Sequence, residues 1–347
     1  SDTYDVGTTT VSWTVTDIHG NVSTDTQDIT ITDDENPTIT AAADQTQTAD
    51  PGNCTAAVAV VGPATADNCA VATVVNDYNN TSDASDTYDV GTTTISWTVT
   101  DIHGNSSTDT QDITITDDEA PSLTVAVDQT QTADAGNCTA VVSVVGPATG
   151  DNCAVATVVN DYNGTSDASD TYDVGTTTVS WTVTDIHGNS STDTQDITIT
   201  DDEAPSLTVA ADQTQTADAG NCTAVVSVVG PATGDNCAVA TVVNDYNGTS
   251  DASDTYDVGT TTVSWTVTDI HGNVSTDTQD ITITDDEAPS LTVAADQTQT
   301  ADAANCTAVV SVVGPATGDN CSVASVVNDY NGTSDASDTY DVGTTTI

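Results

Sequence analysis

The sequence predicts an all-β chain of tandem β-sandwich domains, each 84 residues long, strung into an elongated array. Three observations carry this expectation. The four tryptophans, Trp13, Trp97, Trp181 and Trp265, lie 84 residues apart each time. Each sits in a strictly alternating stretch. In Gly175 to Asn189, Thr177, Val179, Trp181 and Val183 share one face, and Thr178, Ser180, Thr182 and Thr184 share the other. A period of two is a half-buried strand, here with its tryptophan inward. No stretch carries the helical period. The 84-residue self-similarity sets the domain count. Each period is large enough for a small core of its own, so the chain reads as beads on a string and not as a solenoid.

Residues 120–203 serve as the type repeat, and 204–287 differs from it only at Val127 against Ala211 and Ser190 against Val274. Ala120-Pro121 opens it, where proline fits a strand start. Ser122 to Val127 alternates, with Leu123, Val125 and Val127 together, and reads as the first strand. Asp128 to Asn137 is polar, with an edge extension. Cys138 to Val145 is the second strand, with Val141 and Val145 pointing away from the core. Gly146 to Asn152 is turn chemistry, and Ala154 to Val159 is the third strand. Asn160 to Asp170 is a polar connection with room for a short strand. Tyr172 stands just ahead of the tryptophan strand, the place of a tyrosine corner. Asp185-Ile186-His187-Gly188-Asn189 is a polar hairpin tip, and the last strand returns to Asp201. About seven short strands make an immunoglobulin-like sandwich.

The chain contains 54 acidic residues and no lysine or arginine. Charged residues of both signs are the rule in soluble proteins, so this is a strong departure. Nucleic acid and anionic membrane are excluded as partners by repulsion. The self-repulsion needs relief by salt or by bound cations, and no membrane-inserting segment is visible. Eight cysteines fall in four pairs, Cys54/Cys69, Cys138/Cys153, Cys222/Cys237 and Cys306/Cys321. Two per repeat read as one disulfide within each domain and an oxidising, extracellular setting. A loop of that size contributes about 3 kcal/mol. Zinc is the weaker reading, because two thiols do not make a four-ligand site and the spacing is not Cys-x2-Cys.

The combined frame Asp-x-x-Ala-Pro, Gly-Asn-Cys, Pro-Ala-Thr-x-Asp-Asn-Cys, Val-Gly-Thr-Thr-Thr-Val and Thr-Asp-x-x-Gly-Asn resembles the hyalin repeat (HYR) domain over the whole chain. It divides the chain into the C-terminal part of one domain at 1–35, complete domains at 36–119, 120–203 and 204–287, and a domain at 288–347 lacking its last hairpin. Both ends cut a repeat in the same phase, as a window from a longer array would. Many bacterial members carry two further cysteines. Their positions here hold Ser122 or Thr124 and the Thr192 region, so the resemblance implies one disulfide where those members have two. It also implies an extracellular adhesion module, and in bacteria such arrays resemble the stalks of very large secreted adhesins and surface filaments, notably of marine Bacteroidota.

The candidate site is the junction between repeats. All four glutamates, Glu35, Glu119, Glu203 and Glu287, occupy one phase, in Asp-Asp-Glu. In this fold the linker should meet the hairpin tip of the domain that it enters. Asp33, Asp34 and Glu35 would then meet Asp101 and Asn105. Asp117, Asp118 and Glu119 would meet Asp185 and Asn189, and Asp201, Asp202 and Glu203 would meet Asp269 and Asn273. Carboxylates gathered this way repel unless a hard cation joins them, and calcium takes 6–8 oxygens. The competing reading is a solvated acidic linker; the restriction of glutamate to this phase favours calcium. Asp151 is a further candidate ligand, although pairing Cys138 with Cys153 across a simple hairpin would hold it far from the junction.

His187 reads as an exposed loop residue, since no nucleophile frame accompanies it and four copies do not look like an active site. The Asn-x-Ser/Thr matches at Asn137, Asn163 and Asn189 are weak in a chain so rich in Asn and Thr. The outward rows Thr178, Thr182 and Thr184 are ordinary exposed-strand chemistry; a flat lattice binding ice or glycan is the lesser reading. The expected function is that of a cation-stiffened stalk in a secreted, cell-surface adhesin or filament. The alternatives are repeats that themselves bind glycan or protein through copy number, and lateral packing of identical chains fed by Val141 and Val145. An enzyme is the class least favoured. Neighbouring repeats are the expected partners, with the ligand of any binding tip unspecified.

Overall fold

A computed structural model describes residues 2–347. Every regular element among them is a β-strand, and none is a helix. No described helix is therefore long and apolar enough to cross a membrane. The chain divides into two compact units interleaved in sequence. Among the described residues the first comprises 2–129, 142–170 and 177–197, and the second 130–141, 171–176 and 198–347. The units do not follow the repeat boundaries.

In the first unit the repeat 36–119 carries eight strands. They are β1 Thr38–Thr40, β2 Gln45–Thr48, β3 Thr55–Val58, β4 Ala64–Ala66, β5 Val71–Asn76, β6 Asp86–Asp89, β7 Gly91–Asp101 and β8 Ser106–Thr116. A four-stranded sheet runs in the order β2-β8-β7-β5, and two ribbons, β1-β4 and β3-β6, complete the sandwich. The long hairpin β7-β8 sets the register, with Trp97 opposite Asp109 and Ser106 opposite Thr100. β2 joins β8 in parallel, Gln45 opposite Ile113. Along β7, Ile95, Trp97 and Val99 are buried, and Ile113 and Ile115 of β8 continue that face. Ile95, Trp97, Ile113 and Ile115 pack on Ala56, Val58, Ala84 and Tyr88 from the ribbon side. Alternation therefore does here what the sequence demands: one apolar face per strand, and two faces closed on each other.

The second unit holds the repeat 204–287 with the same eight strands, and its core joins Trp265 to Ala224, Val226, Tyr256, Ile281 and Ile283. Residues 7–31 form a hairpin in which Trp13 is 63% exposed.

Two expectations about strands are corrected in the type repeat. The first strand ends at Thr124 and not at Val127, and Val127 is 85% exposed. Pairing explains this. Ser122–Thr124 bonds to Ala148–Gly150, so the segment read as a turn supplies a short strand. The next strand, Gln129–Thr132, belongs to the other sheet. The chain changes sheets between them, and a stretch in transit cannot keep one face buried. Val141 and Val145 are exposed, as expected from their phase.

The tyrosine ahead of the tryptophan strand is buried in each complete repeat, and the Tyr256 hydroxyl donates to the Ala252 carbonyl at 2.6 Å. Burial pushes its phenol up to about 12, so it remains a donor at neutral pH. Tyr256→Phe leaves that carbonyl without its partner, and an intramolecular hydrogen bond contributes about 1 kcal/mol net. The expected result is a fall of about that size in the unfolding free energy of this repeat, read by urea denaturation.

Candidate cation site at the repeat junctions

The hairpin tip is built around one aspartate. Asp101 Oδ1 accepts from the backbone N–H groups of His103 at 2.8 Å, Gly104 at 2.6 Å and Asn105 at 2.9 Å. Its Oδ2 accepts from the Asn105 amide at 2.8 Å. Gly104 has a positive φ of 96°, which a residue with a Cβ adopts only under strain. This explains the Asp-x-x-Gly-Asn frame: an acceptor, a left-handed glycine, and an amide that locks the carboxylate. Asp185 and Asp269 repeat the arrangement with Asn189 and Asn273.

The same asparagine holds the linker. Asn105 Nδ2 donates to the Asp33 carbonyl, Asn189 Nδ2 to Asp117 and Asn273 Nδ2 to Asp201, each at 3.3 Å. The linker thus meets the tip of the repeat that it enters. A third segment arrives from the Asp-Asn-Cys loop. Asn152 Nδ2 donates to Asp117 Oδ1 at 3.1 Å and to the Asn53 carbonyl of the preceding repeat at 3.1 Å. Asp151 Oδ2 accepts from the N–H groups of Cys153 and Ala154, both at 2.9 Å.

Three aspartates converge as a result. Carboxylate oxygens of Asp117, Asp151 and Asp185 lie within 4.8 Å of one another, as do those of Asp33, Asp67 and Asp101. Asp117 Oδ2, Asp151 Oδ1 and Asn152 Oδ1 are buried and accept no hydrogen bond; Asp201 Oδ2, Asp235 Oδ1 and Asn236 Oδ1 repeat this in the second unit. A buried acceptor without a donor carries a desolvation cost of about 1–3 kcal/mol, more when charged. All of these atoms are oxygens, in a chain with no lysine or arginine to neutralise them. Oxygen-only ligands of high negative charge suit a hard divalent cation.

Not every residue expected at this site reaches it. Of the acidic triplet, only the first aspartate joins the cluster. Asp34 and Asp118 take no part in these triads. Glu119 turns back instead: its Oε2 accepts from Gly52 N–H of the repeat just left, at 2.9 Å, and Glu203 does the same to Gly136. The Glu35 backbone N–H donates to Asp33 Oδ1 at 3.3 Å, as that of Glu119 does to Asp117 Oδ1. The longer glutamate arm explains its restriction to one phase. The histidine at the tip also lies closer to the site than expected, with His103 Nδ1 3.1 Å from Asp33 Oδ2.

The disulfide pairing is corrected. Cys54 bonds Cys153, Cys138 bonds Cys237 and Cys222 bonds Cys321, each across 99 residues. No pair closes within a repeat, and among the described residues Cys69 and Cys306 have no disulfide partner. The two cysteines of one repeat face opposite ends of the sandwich. Cys54 lies in the loop reached by the outgoing Glu119, and Cys69 follows Asn68, which donates to the incoming Asp33. Each therefore finds its partner across a junction. The same fact removes the objection to Asp151: Cys153 does not fold back on Cys138, and Asp151 belongs to the junction. The frame Asp-Asn-Cys was the signal for it.

Burial pushes the Asp101, Asp185 and Asp269 carboxyls up, but the side-chain and backbone N–H donors of the tip outweigh it and hold all three below the usual carboxylate range. A lowered folded-state pKa adds stability that is present above the unfolded value of about 3.9 and is lost as pH falls through the folded one. The amide resonances of His103, Gly104 and Asn105 are therefore expected to titrate together, with a midpoint below about 3.9. A midpoint above that value contradicts the donor-saturated tip.

Fold and junctions together define a tandem array of immunoglobulin-like β-sandwiches, cross-linked from repeat to repeat. No family model matches the chain. It is 27% identical over 358 aligned residues to hyalin of Strongylocentrotus purpuratus, an alignment covering all of this chain and 29% of that protein. It is 28% identical over 283 residues to hyalin of Lytechinus variegatus, covering 79% of this chain and 52% of that one. The chain thus spans about half or less of these relatives. Among solved structures, the extracellular cadherin domains 1–5 of protocadherin gamma B2 align over 90% of this chain and 72% of that one, at 14% identity and a TM-score of 0.31. The chain is an array of hyalin-repeat-like domains. The bacterial setting finds no support in these matches.

Proposed function

We propose that the chain is a structural segment of a long extracellular adhesin or filament, a stalk stiffened at each repeat junction by calcium. The observation that supports this most directly is the set of unpartnered, buried oxygens of Asp117, Asp151 and Asn152, and their counterparts Asp201, Asp235 and Asn236. Asp185 completes the first site, Asp33, Asp67 and Asp101 form another, and Asp269, built like Asp185, stands at the tip that holds the Asp201 linker. A cation there joins the linker, the Asp-Asn-Cys loop and the tip, three segments that hinge motion would separate. Near-identical repeats fit a spacer, where number matters more than individuality. The likeness to hyalins supports an extracellular, adhesion-related setting.

Calcium titration calorimetry on the oxidised chain is expected to give three sites, and small-angle scattering at fixed ionic strength to show greater flexibility on chelation. Absence of saturable binding overturns the calcium reading. Binding with an unchanged scattering profile overturns the stiffening. A second reading is lateral packing of identical chains, favoured by exposed valines recurring at Val141, Val225 and Val309. It predicts a scattering mass that rises with concentration.

A further inference from the structure

The three disulfides do more than fasten neighbours. Their loops overlap in sequence, since Cys138 lies inside the loop closed by Cys54 and Cys153, and Cys222 lies inside the one closed by Cys138 and Cys237. The shortest covalent route from Cys54 to Cys321 therefore does not follow the chain. It crosses to Cys153, runs backward to Cys138, crosses to Cys237, runs backward to Cys222 and crosses to Cys321. Only two backbone segments, 138–153 and 222–237, lie on this route.

We propose that the disulfides form a strain-limiting ladder, a covalent tether that carries tension along the array and shields the body of each repeat from it. The inference is independent of any bound cation, because it rests on connectivity alone. Without the rungs, the 267 peptide steps from Cys54 to Cys321 extend to about 930 Å at the reach of an extended chain. With them, 30 backbone steps remain, which together with three cystines of about 5 Å each extend to roughly 120 Å. The ceiling on extension falls about eightfold.

The residues off the route show what is protected. The segments 54–138, 153–222 and 237–321 are each tied to the route at both ends, so they stay slack when it is taut. They contain the tryptophan hairpins Gly91–Asp101/Ser106–Thr116, Gly175–Asp185/Ser190–Thr200 and Gly259–Asp269/Val274–Thr284. The short segment 222–237 holds only Thr223–Val226 and Ala232–Gly234, bonded to Asp254–Asp257 and Ser206–Thr208. Tension can peel those small ribbons and then meets the cystine. Pairing within repeats has no such effect: each closure would remove only a 15-residue stretch and leave the remaining 69 residues of every repeat, about 240 Å, free to extend.

The test is single-molecule force spectroscopy on the full chain, pulled from its ends, first oxidised and then in a dithiol reductant. In the oxidised chain the region 54–321 is expected to reach no more than about 120 Å, and on reduction about 930 Å. A Cys138→Ser/Cys237→Ser chain removes one rung and redirects the route through 153–222. Its oxidised reach is expected to rise by about 130 Å, for 69 backbone steps in place of 30. Mass-spectrometric peptide mapping of the same sample reads the Cys54–Cys153 linkage. Cystine mapped within repeats overturns the proposal, as does an oxidised chain that extends by about 240 Å or more per repeat.

Discussion

Trp265→Ala is expected to destabilise the repeat 204–287 by about 3–5 kcal/mol, the range for truncating a buried large aromatic. Trp265 is fully buried and joins the two layers, touching the cluster of Val226, Tyr256, Ile281 and Ile283. A domain of this length has a total stability of about 4–13 kcal/mol, so the loss is a large part of the whole. Urea denaturation followed by far-UV circular dichroism should show an early transition for one repeat, ahead of the others. Trp265→Phe separates volume from polarity. The indole N–H of Trp265 is buried and has no hydrogen-bond partner, so phenylalanine removes an unpaired donor together with part of the ring. Its cost is expected to be well under half that of alanine. Equal losses for the two substitutions would mean that shape, and not buried area, governs this position.

The parts of this fold that were legible in the sequence are those where one local pattern decides the structure. Val179, Trp181 and Val183 alternate with threonine and serine, and all three are buried. The tip Asp185–Asn189 lies between two alternating runs, and it is a hairpin tip. The sheet change between Thr124 and Gln129 was not legible, because the segments on either side are only three and four residues long and carry too few apolar positions to declare a face. Cystine pairing was hidden for a different reason. A cysteine's partner depends on which end of the sandwich its loop faces, and that follows from the path of the whole sheet. Cys138 and Cys153 are near in sequence, yet they face opposite junctions. The glutamates show the limit at the site itself: their single phase drew attention to the junction, but spacing could not say that Glu119 reaches back to Gly52 while Asp117 reaches forward.

Asp151→Asn tests the junction by a change of sign. The carboxylate uses Oδ2 to accept the N–H groups of Cys153 and Ala154, and an asparagine Oδ1 can take over that role. Its amide would then stand where the unpartnered Asp151 Oδ1 now lies, in a cluster whose carboxylates come within 4.8 Å of one another. In chelator this replaces repulsion between two carboxylates by a donor–acceptor contact, and stability is expected to rise by about 1 kcal/mol. In calcium the same substitution removes a charged ligand. A cation held at a hundred times its dissociation constant stabilises the folded state by about 2.7 kcal/mol per site, and a weakened site forfeits much of this. The variant should therefore melt above the parent in chelator and below it in saturating calcium. An acidic cluster that is merely solvated predicts the variant to be the more stable in both buffers, and that outcome would remove calcium from the junction. The measurement is a pair of thermal melts for each protein at one ionic strength, so that general screening of the 54 acids is held constant.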